Sequence, residues 1–375
     1  SSLRALGGGL KLNTKTRGFT VRQFITIAIF FTTMITSASA DITWTGDARV
    51  RPRLDIIDLG SYGNQTDNIY YFYRARLNMK ADIGDGYFFK TTLSYNGAAN
   101  FAKFGTGTTP VSSVSLASAG RSPLSFMEVY FGQQNQTFGW SAGIIPVPHN
   151  PLYDMHFYPG KMANIPWLLY NNASAAGFDF NYSLAGGKFD LKMLVDNDDG
   201  VTVSSEGDVI DDLTTTDQYS LDASYSKAFG GIKVTPQFLM TVADQGDPAP
   251  VTYGAGLGLP QIAGLGASAY FGLTNQNADD TEAYTGWIAR AKLVGKLGPG
   301  ALTAWYDMAA YTPDDDSFEP TITSFMWISY TYTLHKSDKG SVTLAPTYRL
   351  YTQKTEGSLD YARTNIELTT QISFK

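Results

Sequence analysis

The chain has 375 residues, no cysteine, 43% hydrophobic residues and a formal net charge of −6. Without thiols it holds no disulfide, no thiolate metal site and no covalently attached c-type haem, and its acidic balance argues against nucleic acid as a partner. No apolar run reaches the roughly 18 residues that a membrane-spanning helix needs.

Residues 1–40 read as a leader and secretory signal peptide. Lys11, Lys15, Arg17 and Arg22 make a positive start, and Phe24 to Ile35 is an apolar stretch of signal-peptide length. Ala38-Ser39-Ala40 then forms an A-x-A cleavage pattern before Asp41. The alternative, an N-terminal membrane anchor, fits less well because the stretch is short and ends in small residues. Without the five basic residues of 1–40, residues 41–375 hold 23 basic against 34 acidic residues, a net charge of −11.

From Asp41 to Ile56 the residues alternate without a break. One face reads Ile42, Trp44, Gly46, Ala48, Val50, Pro52, Leu54, Ile56, and the other Thr43, Thr45, Asp47, Arg49, Arg51, Arg53, Asp55. Period two is the period of a strand. Ile69 to Ile83 repeats it, with Tyr71, Tyr73, Ala75, Leu77, Met79 and Ala81 opposite Arg74, Arg76, Asn78, Lys80 and Asp82. Gly84-Asp85-Gly86 turns into a third strand, where Phe89, Thr91, Leu93 and Tyr95 oppose Lys90, Thr92, Ser94 and Asn96. The fourth places Met127, Val129 and Phe131 outward and Phe126, Glu128 and Tyr130 inward, and Phe138 to Ile145 is the fifth. Further strand pairs flank the turns at 185–187, 229–231, 260–264, 298–300 and 336–340, and the last strand starts near Tyr361.

These segments predict an all-β, 16-stranded antiparallel up-and-down transmembrane β-barrel over residues 41–375, with fourteen or eighteen strands as alternative counts. Seven connections read as tight turns. Eight read as long loops, at about 57–68, 98–123, 147–167, 197–216, 243–250, 275–282, 312–320 and 353–360, in strict alternation with the turns. Such alternation places short turns on the periplasmic side and long loops outside. Average hydropathy stays low because only every second residue meets lipid, and 23 Tyr with 22 Phe can furnish interfacial girdles. A soluble sandwich or propeller would need an aliphatic inner face and no such alternation.

Gly46-Asp47-Ala48-Arg49-Val50-Arg51, Tyr73-Arg74-Ala75-Arg76-Leu77, Glu128-Val129-Tyr130, Ser141-Ala142-Gly143 and a final strand alternating through Ile366, Leu368, Thr370, Ile372 and Phe374 resemble Gram-negative outer-membrane porins. The nearest group is the loosely defined one related to the general trimeric porins. The resemblance spans 41–375 through short, degenerate motifs. It implies a homotrimer in the bacterial outer membrane, in contact with lipid and lipopolysaccharide, that passes small solutes and ions. It also implies that the third long loop, 147–167, folds inward as a constriction. Two features depart from the pattern. The chain ends Phe374-Lys375 rather than on the aromatic, and Gly143-Ile144-Ile145-Pro146 lacks the basic residue many relatives carry after the glycine.

A barrel of this size leaves an aqueous channel, so its lining sets its selectivity. Arg49, Arg51, Arg53, Arg74, Arg76, Lys80 and Lys90 fall on the inward phase of the first three strands, and Arg349 and Arg363 extend that field across the closure. Arg290, Lys292 and Lys296 form a second basic row. Asp47, Asp55, Asp82 and Glu367 are available to pair with them, in which case the cations scaffold the wall as well as polarise it. Constriction candidates are Glu128, His149, Asp154, His156 and Lys161; the prolines of 147–167 stiffen that loop. Inward aromatics Phe72, Phe88, Phe126, Tyr130 and Trp305 suggest a track on which sugars stack. Acidic runs at 196–212 and 314–316 read as solvated loops or loose divalent-ion bridges, and DNDDG at 196–200 lacks EF-hand spacing. Three histidines without suitable partners give no catalytic constellation, and no metal or cofactor is expected. The sequence therefore points to a water-filled channel for passive diffusion of small hydrophilic solutes with weak anion preference, and not to an enzyme. The alternatives are a porin selective for anions or sugars, and a sleeve around a partner protein.

Overall fold

The computed structural model describes residues 40–60, 65–95, 101–103, 124–147, 174–197, 218–242, 249–277, 283–355 and 358–375. The proposed leader and signal peptide, and the proposed constriction residues His149, Asp154, His156 and Lys161, lie outside the described residues.

Sixteen strands run in chain order: β1 Asp41–Asp58, β2 Gln65–Gly84, β3 Tyr87–Tyr95, β4 Leu124–Gln134, β5 Phe138–Pro146, β6 Ser174–Leu184, β7 Gly187–Asn197, β8 Gln218–Phe229, β9 Ile232–Val242, β10 Val251–Gly258, β11 Leu265–Gln276, β12 Tyr284–Leu297, β13 Gly300–Pro313, β14 Thr321–Lys336, β15 Gly340–Thr355 and β16 Ser358–Phe374. Each pairs antiparallel with the next, and β16 returns to β1 from Gly46↔Phe374 to Asp58↔Ala362. The sheet is thus a closed barrel, as the alternation predicted. Closure matters because an unpaired backbone group in hydrocarbon costs several kcal/mol. A two-residue segment, Ala102–Lys103, adds to β2 opposite Tyr73 and Phe72.

The faces follow the pleat. Ile42, Trp44, Val50, Ile69, Tyr71, Phe178, Phe180, Tyr182, Leu184, Tyr253, Leu273, Tyr306, Ile322, Ile366, Leu368 and Phe374 are large apolar groups left exposed on the outside. Such a surface suits lipid, since a soluble domain rarely exposes so continuous an apolar face. The charged residues that alternate with them in β1, β2 and β16 point inward, where several are buried.

Three details differ from the sequence reading. First, Leu93 pairs with Phe126 while Thr92 pairs with Glu128, so Met127 is an extra residue in a β-bulge. The bulge flips everything before it, and Phe126 faces outward, 61% exposed. Second, the expected long loop at 353–360 is a tight hairpin, with Lys354↔Leu359 and Thr355↔Ser358 paired. Polar residues there read as loop, but a strand with one wet face is polar at every second position anyway. The connection 59–64 is no longer than that at 259–264, so short and long connections do not strictly alternate. Third, the inner face carries more apolar groups than the inward aromatics the sequence named. Ile288, Ala309, Phe325, Tyr351 and Tyr361 of β12 to β16 form one buried cluster on it. Tyr130, Ile145, Val147, Leu194 and Leu239 form a second, with Phe88 and Ala175 against it.

Candidate functional site

The inward phase of β15, β16, β1 and β2 brings the predicted arginines together. Asp47 accepts an ion pair from Arg49 (3.2 Å), Arg74 (3.2 Å) and Arg76 (2.7 Å). Glu367, whose side chain is fully buried, holds Arg53, Arg51 at 3.6 Å and Arg349 at 2.9 Å. Asp55 takes Arg363 at 2.6 Å and a hydrogen bond from Asn365. Arg51 also donates to Thr369 Oγ1 at 2.8 Å. Among the described residues, seven guanidinium groups here share three carboxylates, so the described part of this wall carries a surplus of positive charge. Scaffold and field coexist: the carboxylates fix the arginines in place and do not cancel them. Asp82 contributes little, lying 3.8 Å from Lys80 with both side chains about half exposed.

Aromatic faces support the same cations. Phe101 lies under Arg51 (4.3 Å) and Arg74 (4.9 Å), and Phe72 under Arg53 (4.6 Å). A cation on a ring face retains its N–H edges for other partners, and the contact is worth about 0.5–2 kcal/mol. Phe101 belongs to the connection between β3 and β4, so part of that connection reaches the arginines. Sequence reasoning missed it, because a lone Phe in a loop carries no periodicity.

A second constellation spans β12 to β15. Lys292, Trp305, Trp327 and Arg349 are successive register partners. Strands spaced about 4.8 Å apart let such partners stack side by side. The two indoles lie 4.4 Å apart and 16° from parallel, with the Arg349 guanidinium over the Trp327 ring, 3.6 Å from its centroid. Arg290 and Lys292 lie 5.3 and 5.5 Å from Trp305, and Arg290 is also paired with Asp307 at 2.5 Å. The predicted basic row therefore divides. Arg290 and Lys292 join this ladder, while Lys296 is exposed near the turn at 298–299. Among the described residues, the buried Trp305 indole nitrogen and Tyr270 hydroxyl find no hydrogen-bond partner. Tyr270 lies across Gly254, where a Cβ would come within 2.3 Å of its hydroxyl oxygen; glycine there makes room for the ring.

On β6 to β8 the sign reverses. Lys192 is paired with Asp179 at 2.9 Å and with Asp190, and Gln237 donates to Asp222 at 3.0 Å. Among the described residues of this cluster, three carboxylates face one ammonium, and Asp222 has a further interaction as well. In a ring of sixteen strands β7 lies opposite β15, so an acidic wall faces the basic one. Sequence reasoning passed over these acids because each was read as one polar residue in an alternating strand.

Lys80, Lys90 and Glu128 line a cavity nearer the turn between β2 and β3. The acidic run at 314–316 is described and lies outside the strands, where the Ser317 amide donates to Asp315 Oδ1 at 2.8 Å. Among the described residues, no group of three or more His, Asp or Glu side chains is placed to hold a metal ion.

No family model and no curated sequence matches the chain. Solved structures do share its fold. The anion-selective porin from Comamonas acidovorans aligns with a TM-score of 0.57 at 11% identity over 90% of this chain and 100% of its own. The outer membrane channel DcaP of Acinetobacter baumannii aligns with a TM-score of 0.55 at 15% identity, over 89% and 97%. OmpT, an outer membrane protein of Vibrio cholerae, aligns in its trimer form with a TM-score of 0.54 at 9% identity, over 89% and 99%. At such identities the likeness is one of fold.

Proposed function

We propose that this barrel, which has the fold of the outer-membrane porins, forms a water-filled channel for passive diffusion of small hydrophilic solutes across the bacterial outer membrane, with a weak preference for anions. The observation that carries the preference is the surplus of arginines on β15, β16, β1 and β2, seven against three carboxylates among the described residues. Charges in a narrow, poorly screened passage raise the local concentration of counter-ions. The acidic wall on β6 to β8 tempers this, so the preference is weak and the field runs across the pore. By this reading the protein is a homotrimer in contact with lipid and lipopolysaccharide, with loop 147–167 as part of the constriction, and it catalyses no reaction. The alignment with an anion-selective porin and with a trimer form supports the reading at the level of fold.

A solute-selective channel is the second reading, favoured by the Trp305–Trp327 ladder. The mutual stacking already occupies the inner ring faces, which favours edge contacts with a solute over the face-on stacking of a sugar. Liposome swelling tests both. Vesicles holding the protein should swell in neutral sugars at rates that fall smoothly with size, and faster in an anionic than in a cationic solute of equal size. Swelling restricted to a single solute would favour selectivity, and none at all would remove the channel.

A further inference from the structure

Lys80 and Lys90, five residues before and four residues after the turn at 85–86, are direct cross-strand partners. Like charges placed opposite one another destabilise a strand pair. Elsewhere in this wall the same problem is met by a shared carboxylate: Arg49 and Arg74 are also partners, and Asp47 lies between them. Among the described residues, the lysine pair shares no such carboxylate. Lys80 pairs with the half-exposed Asp82 at 3.8 Å, and Lys90 lies 5.0 and 5.6 Å from the rings of Phe88 and Tyr130, with Glu128 acting on it electrostatically from beyond ion-pair distance.

Beside the lysines runs a second row. Thr45, Asn78, Thr92 and Glu128 are register partners across β1 to β4. They are joined in series: Asn78 Nδ2 donates to Thr45 Oγ1 at 3.4 Å, and Thr92 Oγ1 lies 3.0 Å from Asn78 Oδ1 and 3.2 Å from Glu128 Oε2. The two rows together line a cavity of about 370 Å³ on the inward face. Its lining includes both ammonium groups, the hydroxyls of Thr43, Thr45 and Thr92, and the Glu128 carboxylate, which lies within electrostatic reach of Lys90.

We propose that this cavity is an oxyanion subsite, which takes the phosphate or carboxylate group of a solute between the ammonium groups of Lys80 and Lys90. A bound oxyanion supplies the bridging negative charge that the strand pair lacks. Glu128 disfavours a second negative group on the same solute, so the preferred ligand has one anionic head on a neutral or cationic body. The inference rests on the reading above only in requiring that solutes reach the lumen.

Isothermal titration of the folded, detergent-solubilised protein with inorganic phosphate, and separately with acetate, tests it without requiring conduction. Saturable binding is expected, weakened at least tenfold in K80Q/K90Q and retained in K80R/K90R. Removing two lumen charges elsewhere, in R290Q/K292Q, should change the affinity by no more than about twofold. Retained heat-modifiable migration shows that each variant is folded, and K90Q alone serves if the double variant is not. Acetate binding without phosphate binding would restrict the ligand to carboxylates. Wild-type protein that binds neither anion, or K80Q/K90Q that binds as tightly as wild type, would overturn the subsite. Binding by a protein that never conducts would keep the subsite and remove the channel; conduction without binding would do the reverse.

Discussion

Glu367 is the residue on which the basic wall depends most. Its carboxylate is fully buried and holds Arg51, Arg53 and Arg349, the last at 2.9 Å. Two unit charges at that distance attract by roughly 6 kcal/mol at an effective dielectric constant of about 20. Much of this is offset by taking the groups out of water. Removing one member of a buried ionic cluster nevertheless costs about 3–5 kcal/mol, because the remaining charges stay buried without compensation. Glu367→Gln keeps the shape and removes the charge. The variant should unfold at a clearly lower urea concentration, read by tryptophan fluorescence in detergent or lipid. Whatever fraction inserts should show a stronger anion preference, since the wall gains one net positive charge. An unchanged unfolding midpoint would mean that water already solvates the three arginines. An unchanged reversal potential would mean that this cluster is not near the path of the ions.

Other substitutions test separate parts of the structure. Leu77→Arg turns a charge toward lipid and should cost about 2–4 kcal/mol near the bilayer midplane, whereas Asn78→Arg faces the lumen and should insert normally; equal damage would mean the phase of β2 is wrong. Replacing Arg51, Arg74 and Arg76 with Gln should move the reversal potential toward cations without closing the pore, and the double change Asp179→Asn with Asp222→Asn should move it toward anions. Phe101→Ala should loosen Arg51 and Arg74 and alter the single-channel conductance; identical conductance would show that Phe101 is only packing. Tags placed within 198–217 should be reachable on intact cells and tags at 230–231 should not; the opposite pattern would invert the barrel in the membrane.

The barrel was legible because its outer face obeys one rule throughout: every second residue meets lipid. That rule set the phase of β1 and β2 and placed Arg49, Arg51, Arg74 and Arg76 inward. It failed where the chain breaks its own period. The bulge at Met127 reverses Phe126, and a bulge leaves no mark in a pattern that is apolar on both sides of it. It also failed on β14, where Phe325 and Trp327 alternate with Met326 and Ile328, so both faces look alike and the ladder with Trp305 could not be read. Pairings across the closure, such as Arg53 with Glu367, were legible only as complementary inventories. Register between residues more than 300 positions apart is set by the whole ring. The acidic wall on β6 to β8 was hidden for a related reason: Asp179, Asp190 and Asp222 become one group only when three strands are laid side by side.

The most direct test of a conducting, positively lined barrel is single-channel recording of the purified protein in a planar bilayer under a potassium chloride gradient. Discrete, long-lived conductance steps are expected, with a zero-current potential on the anion-selective side that shrinks as salt rises and the Debye length falls to about 3 Å at 1 M. A cation-selective potential would contradict the assignment of the arginine wall to the conduction path. A correctly folded barrel that never produces steps would contradict the channel itself.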